Sequence, residues 1–296
     1  MKLTNFINKE KNVKNILMLP VLIWIAVFTF YPLVYSLRLS FYKEKLSGFK
    51  FVGFENFIRA FTDPRFWNDL RVTIIFVVLT VVLEFFIGFG LALLLNRKIK
   101  GQRFFRFIFT IPLFACPVAV SYMGLILFSE ENGIINTVLM NYLRLSRIPW
   151  LSSPTLAIFT CILLNVWQWV SFTFLVLTAG LQSLPEEPQE AALVDGATRW
   201  QNFKYITIPM LKPVMLTTFL FKLVYSLKVF DIPFNLTEGG PGLSSEVYSI
   251  FVFRTGLKYL DVGYASALSY LFLIVVLLIC SNLISRVREI YTLEGE

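Results

Sequence analysis

A chain of 296 residues that is 56% hydrophobic and only 16% charged, with a mean hydropathy of +0.69, falls outside the range of soluble globular domains. Its net charge of +8 would suit nucleic acid, but the basic residues cluster beside apolar runs instead of covering one soluble face. There is no histidine, and Cys116, Cys161 and Cys280 lie far apart within apolar runs, which argues against a metal site or a disulfide framework.

Six runs have the length of a membrane span, about 20 apolar residues for a hydrocarbon core of about 30 Å. They cover 15–37, 72–96, 107–128, 154–180, 213–235 and 263–285. The expected fold is all-α: a polytopic membrane helix bundle in one domain over 1–296. Lys2, Lys9, Lys11 and Lys14 precede the first run. That run outlasts a signal-peptide core and ends in no small-x-small site, so it reads as an uncleaved first helix. The loop from Arg38 to Arg71 mixes basic residues with Glu44, Glu55, Asp63 and Asp69 and reads as external. The second run carries Glu84 alone. Arg97, Lys98, Lys100, Arg103 and Arg106 fill the next short loop, and Arg286 and Arg288 follow the last run. With an even number of spans, these clusters put both termini in the cytoplasm. Pro20, Pro32, Pro112, Pro117 and Pro233 mark expected kinks. The fifth run carries Lys222, Lys228 and Asp231, and Thr237–Gly242 reads as a loop.

Residues 181–213 do not span. Ser183 and Glu186 have capping-box spacing, and a short helix through Glu190, Ala191 and Ala192 should stop at Gly196. Thr198 and Gln201 repeat the spacing and start a second helix, with Trp200, Phe203 and Ile206 on one face. Pro209 and Pro213 should then break the chain before the fifth span. Small residues at the bend let another backbone approach, so the element suits docking of a soluble partner; a helix lying on the bilayer is the other reading.

These strings resemble a known family. Glu190-Ala191-Ala192, Gly196, Ile206 and Ile208-Pro209 match the EAA loop of ABC importer permeases, with isoleucine at Ile208 where leucine is usual. Asp195-Gly196-Ala197, Lys228–Asp231, Thr237–Pro241 and Gly263–Ala267 are similar to the sugar-importer branch, the maltose and multiple-sugar type. The resemblance implies a permease subunit in a bacterial cytoplasmic membrane, with 181–212 as a cytoplasmic coupling loop. It implies Glu190, Ala191, Ala192, Asp195, Gly196, Ala197 and Trp200 as the contact with the ATPase. The implied partners are a second permease subunit, usually non-identical, a dimer of ATP-binding subunits holding ATP and Mg, and an extracytoplasmic sugar-binding protein, besides membrane lipid. This chain lacks a phosphate-binding G-x-x-x-x-G-K-(S/T) loop, so no catalytic residue and no cofactor is expected on it.

A sugar needs hydrogen-bonding groups for its hydroxyls and a flat apolar ring for its C–H face. Asn165, Trp169 and Phe172 share a face of the fourth span, and Lys222 and Ser226 share one on the fifth. Likeness to maltose permeases supports Asn165 and Ser226, whereas Trp169 and Lys222 rest on residue chemistry alone. Glu84 and Lys222 are expected either to pair or to face a water-filled cavity. An ion-coupled transporter is the alternative function; a membrane enzyme would need a catalytic cluster that the sequence lacks.

Overall fold

The computed structural model of the chain describes residues 10–45, 48–97 and 99–293. In chain order these form α1 (Glu10–Ile25), a π-helical turn (Ala26–Phe30), α2 (Tyr31–Ser40), β1 (Tyr42–Lys45), β2 (Gly48–Phe51), α3 (Glu55–Thr62), α4 (Pro64–Leu95) and α5 (Gln102–Thr110). A 3-10 turn (Ile111–Phe114) leads to α6 (Pro117–Phe128), α7 (Ile134–Leu143), α8 (Pro154–Ser183) and α9 (Glu187–Val194). Then come α10 (Arg199–Asn202), a π-helical turn (Phe203–Thr207), α11 (Ile208–Leu227), α12 (Asp231–Thr237), α13 (Tyr248–Phe253) and α14 (Val262–Leu293).

Among the described residues, five helical stretches are long and apolar enough to cross a bilayer: Leu17–Ser40, Pro64–Leu95, Pro154–Ser183, Arg199–Leu227 and Val262–Ser285. A sixth passage is the pair Gln102–Phe114 and Pro117–Phe128, bent by 99°. The membrane helix bundle is as expected, but the third passage is broken. Pro112 sits in the 3-10 turn, and Ala115 and Cys116 are extended ahead of Pro117, which disfavours helical backbone before it. The Ala115 carbonyl freed by the break accepts a hydrogen bond from Gln168 Nε2 on α8 at 2.7 Å.

The fifth span differs from the expected 213–235: helix runs from Arg199 to Leu227. Pro209 and Pro213 do not break it. A proline removes the bond to the carbonyl four residues earlier and crowds it; for Pro209, at the start of α11, that carbonyl belongs to Tyr205 in the π-turn Phe203–Thr207, whereas Pro213 is accommodated inside α11. The helix stops instead at Lys228, and Asp231–Thr237 is a separate short helix. The hairpin β1–β2, antiparallel with Tyr42 opposite Phe51, was not expected.

The chain divides into two compact units. The first comprises the described residues up to Asp63 with Val252–Leu273. Its polar contacts explain the Gly263–Ala267 string. A Cβ on Gly263 would overlap the Tyr42 carbonyl oxygen. The Tyr264 hydroxyl donates to Asp63 at 2.9 Å, and Ser266 meets Ser36 at 3.3 Å. Asn56 donates to the carbonyls of Ser40 and Tyr42 at 2.8 and 2.9 Å, and Arg59 pairs with Asp261 at 2.6 Å.

The second unit holds Pro64–Phe251 and the chain from Ile274. Its main packing is α4 on α8. One cluster joins Phe76, Val120, Ile162, Val166, Ile232 and Ile250; another joins Ala92, Phe174, Leu177 and Leu211. Arg65 grips buried Glu246 through two bonds of 2.9 and 2.7 Å, which ties the 240s loop to the start of α4. After α6, the Glu130 carboxylate accepts from the backbone N–H groups of Leu151 and Ser152. Hydrogen bonding from Ser152 holds its pKa below the ordinary carboxylate value.

Candidate coupling and substrate sites

The coupling segment begins where α8 ends. The expected capping box at Ser183 and Glu186 does not form, because α8 runs on to Ser183 and that hydroxyl bonds back to the Gly180 carbonyl at 2.9 Å. The box at Thr198 and Gln201 does form, with side chain and backbone bonded reciprocally. Between them lies a left-handed helix end. Gly196 has φ +86°, its N–H donates to Leu193 O at 3.2 Å, and the Ala197 N–H reaches Ala192 O at 2.9 Å. This is the Schellman pattern, so the second alanine of the Glu190–Ala192 string supplies the carbonyl that closes the turn. A Cβ on Gly196 would meet no atom of this chain within 4 Å. The conformation, not internal crowding, selects glycine.

Asn202 Nδ2 donates to Gln189 O at 2.9 Å and joins the two short helices. The expected apolar face divides. Phe203 and Ile206 are half-buried, and the Phe203 ring stacks on Phe89 of α4 at 6.4 Å. Trp200 stays 67% exposed and Val194 87%. Glu190, Ala191, Asp195 and Gly196 are exposed; Ala192 and Ala197 are half-buried. Asp195, Gly196, Ala197, Gln201, Asn202, Tyr205 and Ile206 line a hollow of about 350 Å³. The segment therefore presents a shallow, small-residue depression flanked by apolar side chains, a surface that fits a protein partner.

The second site lies within the spans. Asn165 and Trp169 of α8 line a cavity of about 230 Å³ with Pro117, Tyr225, Lys228 and Asp231. The Trp169 and Tyr225 rings lie 4.1 Å apart. Lys222 does not line the cavity. It is buried, with Nζ 4.8 Å from the Trp169 ring and 5.4 Å from the Tyr225 ring, and it pairs with Glu84 Oε2 at 2.7 Å. So the two intramembrane charges do pair, from α4 to α11, and they back the aromatic pair. Ser226 is buried outside the cavity lining, its hydroxyl bonded to no group among the described residues, and Phe172 is half-buried outside it. Tyr225 is not among the residues expected at the site, although its spacing of three from Lys222 places it on the same face; Lys228 and Asp231 stand in the sequence only within a family string.

Comparison with known proteins decides the class. Residues 84–289 match the family of binding-protein-dependent transport system inner membrane components. The chain belongs to this family. It is 37% identical to the sulfoquinovosyl glycerol transport system permease SmoG of Agrobacterium fabrum, over 86% of this chain and 83% of that one. It is 34% identical to the trehalose/maltose transport system permease MalF of Thermococcus litoralis, over 91% of each. A crystal structure of a bacterial alginate ABC transporter, in complex with an alginate pentasaccharide-bound periplasmic protein, superposes with a TM-score of 0.83. It is 26% identical and covers 96% of each chain. The chain is thus a membrane permease component of an ABC importer whose relatives carry sugars.

Proposed function

We propose that this permease carries a saccharide through a pathway formed with a second, usually non-identical, permease subunit. ATP and Mg are bound and ATP is hydrolysed on a pair of separate subunits, and an extracytoplasmic binding protein delivers the sugar. The observation that carries the substrate class is the cavity at Asn165. An amide, an aromatic pair and two charged side chains converge there, the partners that sugar hydroxyls and C–H faces require. The named substrates of the relatives support the same class. Lys222 and Glu84 set the rings from behind, and Asn165 and Trp169 meet the sugar.

The turn at Asp195–Ala197 is the docking element for the ATP-binding subunits, and it faces the cytoplasm with both termini. Its exposed Val194 and Trp200 support that role. A cysteine replacing Gln201 tests the orientation: it should resist a membrane-impermeant thiol reagent in intact spheroplasts, and labelling from outside would overturn it. Uptake by the reconstituted assembly tests the energy source. Uptake should persist with an uncoupler and stop without ATP. The reverse result would favour ion coupling.

A further inference from the structure

We propose that α3 is an interfacial helix whose apolar stripe rests against membrane lipid at the edge of the bilayer. The helix Glu55–Thr62 and its N-cap Phe54 present three stripes. Asn56 and Ala60 are buried. Glu55, Arg59 and Thr62 form a polar stripe, with Arg59 paired to Asp261 at 2.6 Å and Glu55 3.7 Å from Lys43. Phe54, Ile58 and Phe61, spaced by four and three, are 66%, 64% and 53% exposed. An exposed Ile58 flanked by the exposed parts of Phe54 and Phe61 calls for an apolar cover.

The attachment points of α3 identify that cover. Arg38 and Asp261 are the charges that bound the apolar runs of the first and last spans. The helix is bonded directly to both levels: Asn56 to the carbonyls of Ser40 and Tyr42, and Arg59 to Asp261. It therefore lies where hydrocarbon gives way to headgroups, a place where aromatic side chains gather and amphipathic helices lie flat. The apolar surface is also continuous with that of the first span. Leu33, Val34 and Leu37 are exposed below it, and the Phe41 ring joins α2 to Phe54 at 5.3 Å. At about 12 Å long, the helix fits in the plane of the interface. That the leaflet is the outer one rests on the orientation proposed above; contact with lipid does not.

Photo-crosslinking of the assembled transporter in native membranes tests this. A benzophenone side chain replacing Ile58 should yield phospholipid adducts on irradiation, several-fold more than the same group replacing Glu55. A cross-link from position 58 to a protein would overturn the proposal in favour of a docking surface. Absence of lipid adducts at 58, or equal yields at 58 and 55, would overturn it in favour of an open aqueous face. Position 54 repeats the test if the Ile58 variant does not assemble. The Gln201 labelling result decides the leaflet separately, so failure of one reading is distinguishable from failure of the other.

Discussion

In the turn at Asp195–Ala197 the backbone carries the geometry. Gly196 at φ +86°, two carbonyls closed by N–H groups and one capping box define a surface whose side chains are small or exposed. In the cavity beside Asn165 the side chains carry it. Regular helices hold two rings in tilted contact, and a buried ion pair from two different spans sets what lies behind them. About 20 Å of α8 separates Trp169 from the end of that helix at Ser183, at 1.5 Å per residue. A rigid span, not a shared cluster, must therefore link the two regions. A surface built from backbone conformation tolerates few residues at its turn. A site built from packed side chains tolerates many, provided charge and volume balance.

The largest effect is expected at the turn. Gly196→Asp places a charged side chain in left-handed backbone that favours glycine and intrudes on the proposed docking face. The assembled variant should lose both uptake and substrate-stimulated ATP hydrolysis while inserting normally. Gly196→Asn sharpens the point, because asparagine is the usual alternative to glycine at a left-handed helix end. If Asn restores coupling, conformation alone selects glycine; if it fails like Asp, the partner's close approach does. Normal stimulated hydrolysis in Gly196→Asp would reduce the turn to a simple helix stop.

Next comes the ion pair. Glu84→Gln or Lys222→Met alone leaves a buried charge unpaired, worth about 3–5 kcal/mol of stability. Each should lower the yield and thermal midpoint of the assembled transporter, and the double variant should recover most of both. Additive losses in the double variant would mean that the charges act separately.

A smaller effect is expected at the cap. Thr198→Ala removes the hydroxyl that receives the Gln201 N–H and should cost about 1 kcal/mol. Stimulated hydrolysis should fall by about fivefold at most, since 1 kcal/mol corresponds to roughly that factor. A complete loss would show that the turn is less self-supporting than its Schellman bonds imply.

The same contrast governs what the sequence revealed. The passages are legible because each is a long apolar run, four of them uncharged, and the turn is legible because glycine, alanine and capping residues sit at fixed spacing. The Thr198–Gln201 box was read directly, whereas Ser183–Glu186 misled because the same spacing lies across the end of a span. Pro209 and Pro213 misled for a related reason. Proline removes one α-helical bond without ending the helix: a π-turn precedes Pro209 and Pro213 sits inside α11, and nothing local in the sequence distinguishes this from a break. The cavity was only half legible. Helical spacing placed Asn165 and Trp169 on one face, but spacing within a helix says nothing about its neighbours. Hence Tyr225 was passed over, Lys222 was assigned to the site itself, and Glu84 was not fixed as its partner.

The most direct test of the account is sugar uptake by the reconstituted transporter carrying Asn165→Ala, measured beside Leu163→Ala. Asn165 is 5% exposed and lines the cavity, and Leu163 on the same helix is 43% exposed. The account predicts that Asn165→Ala lowers uptake while assembly and basal ATP hydrolysis stay at the level of the unaltered protein, and that Leu163→Ala changes neither. Equal uptake by the two variants would contradict it and remove the Asn165 face from the pathway.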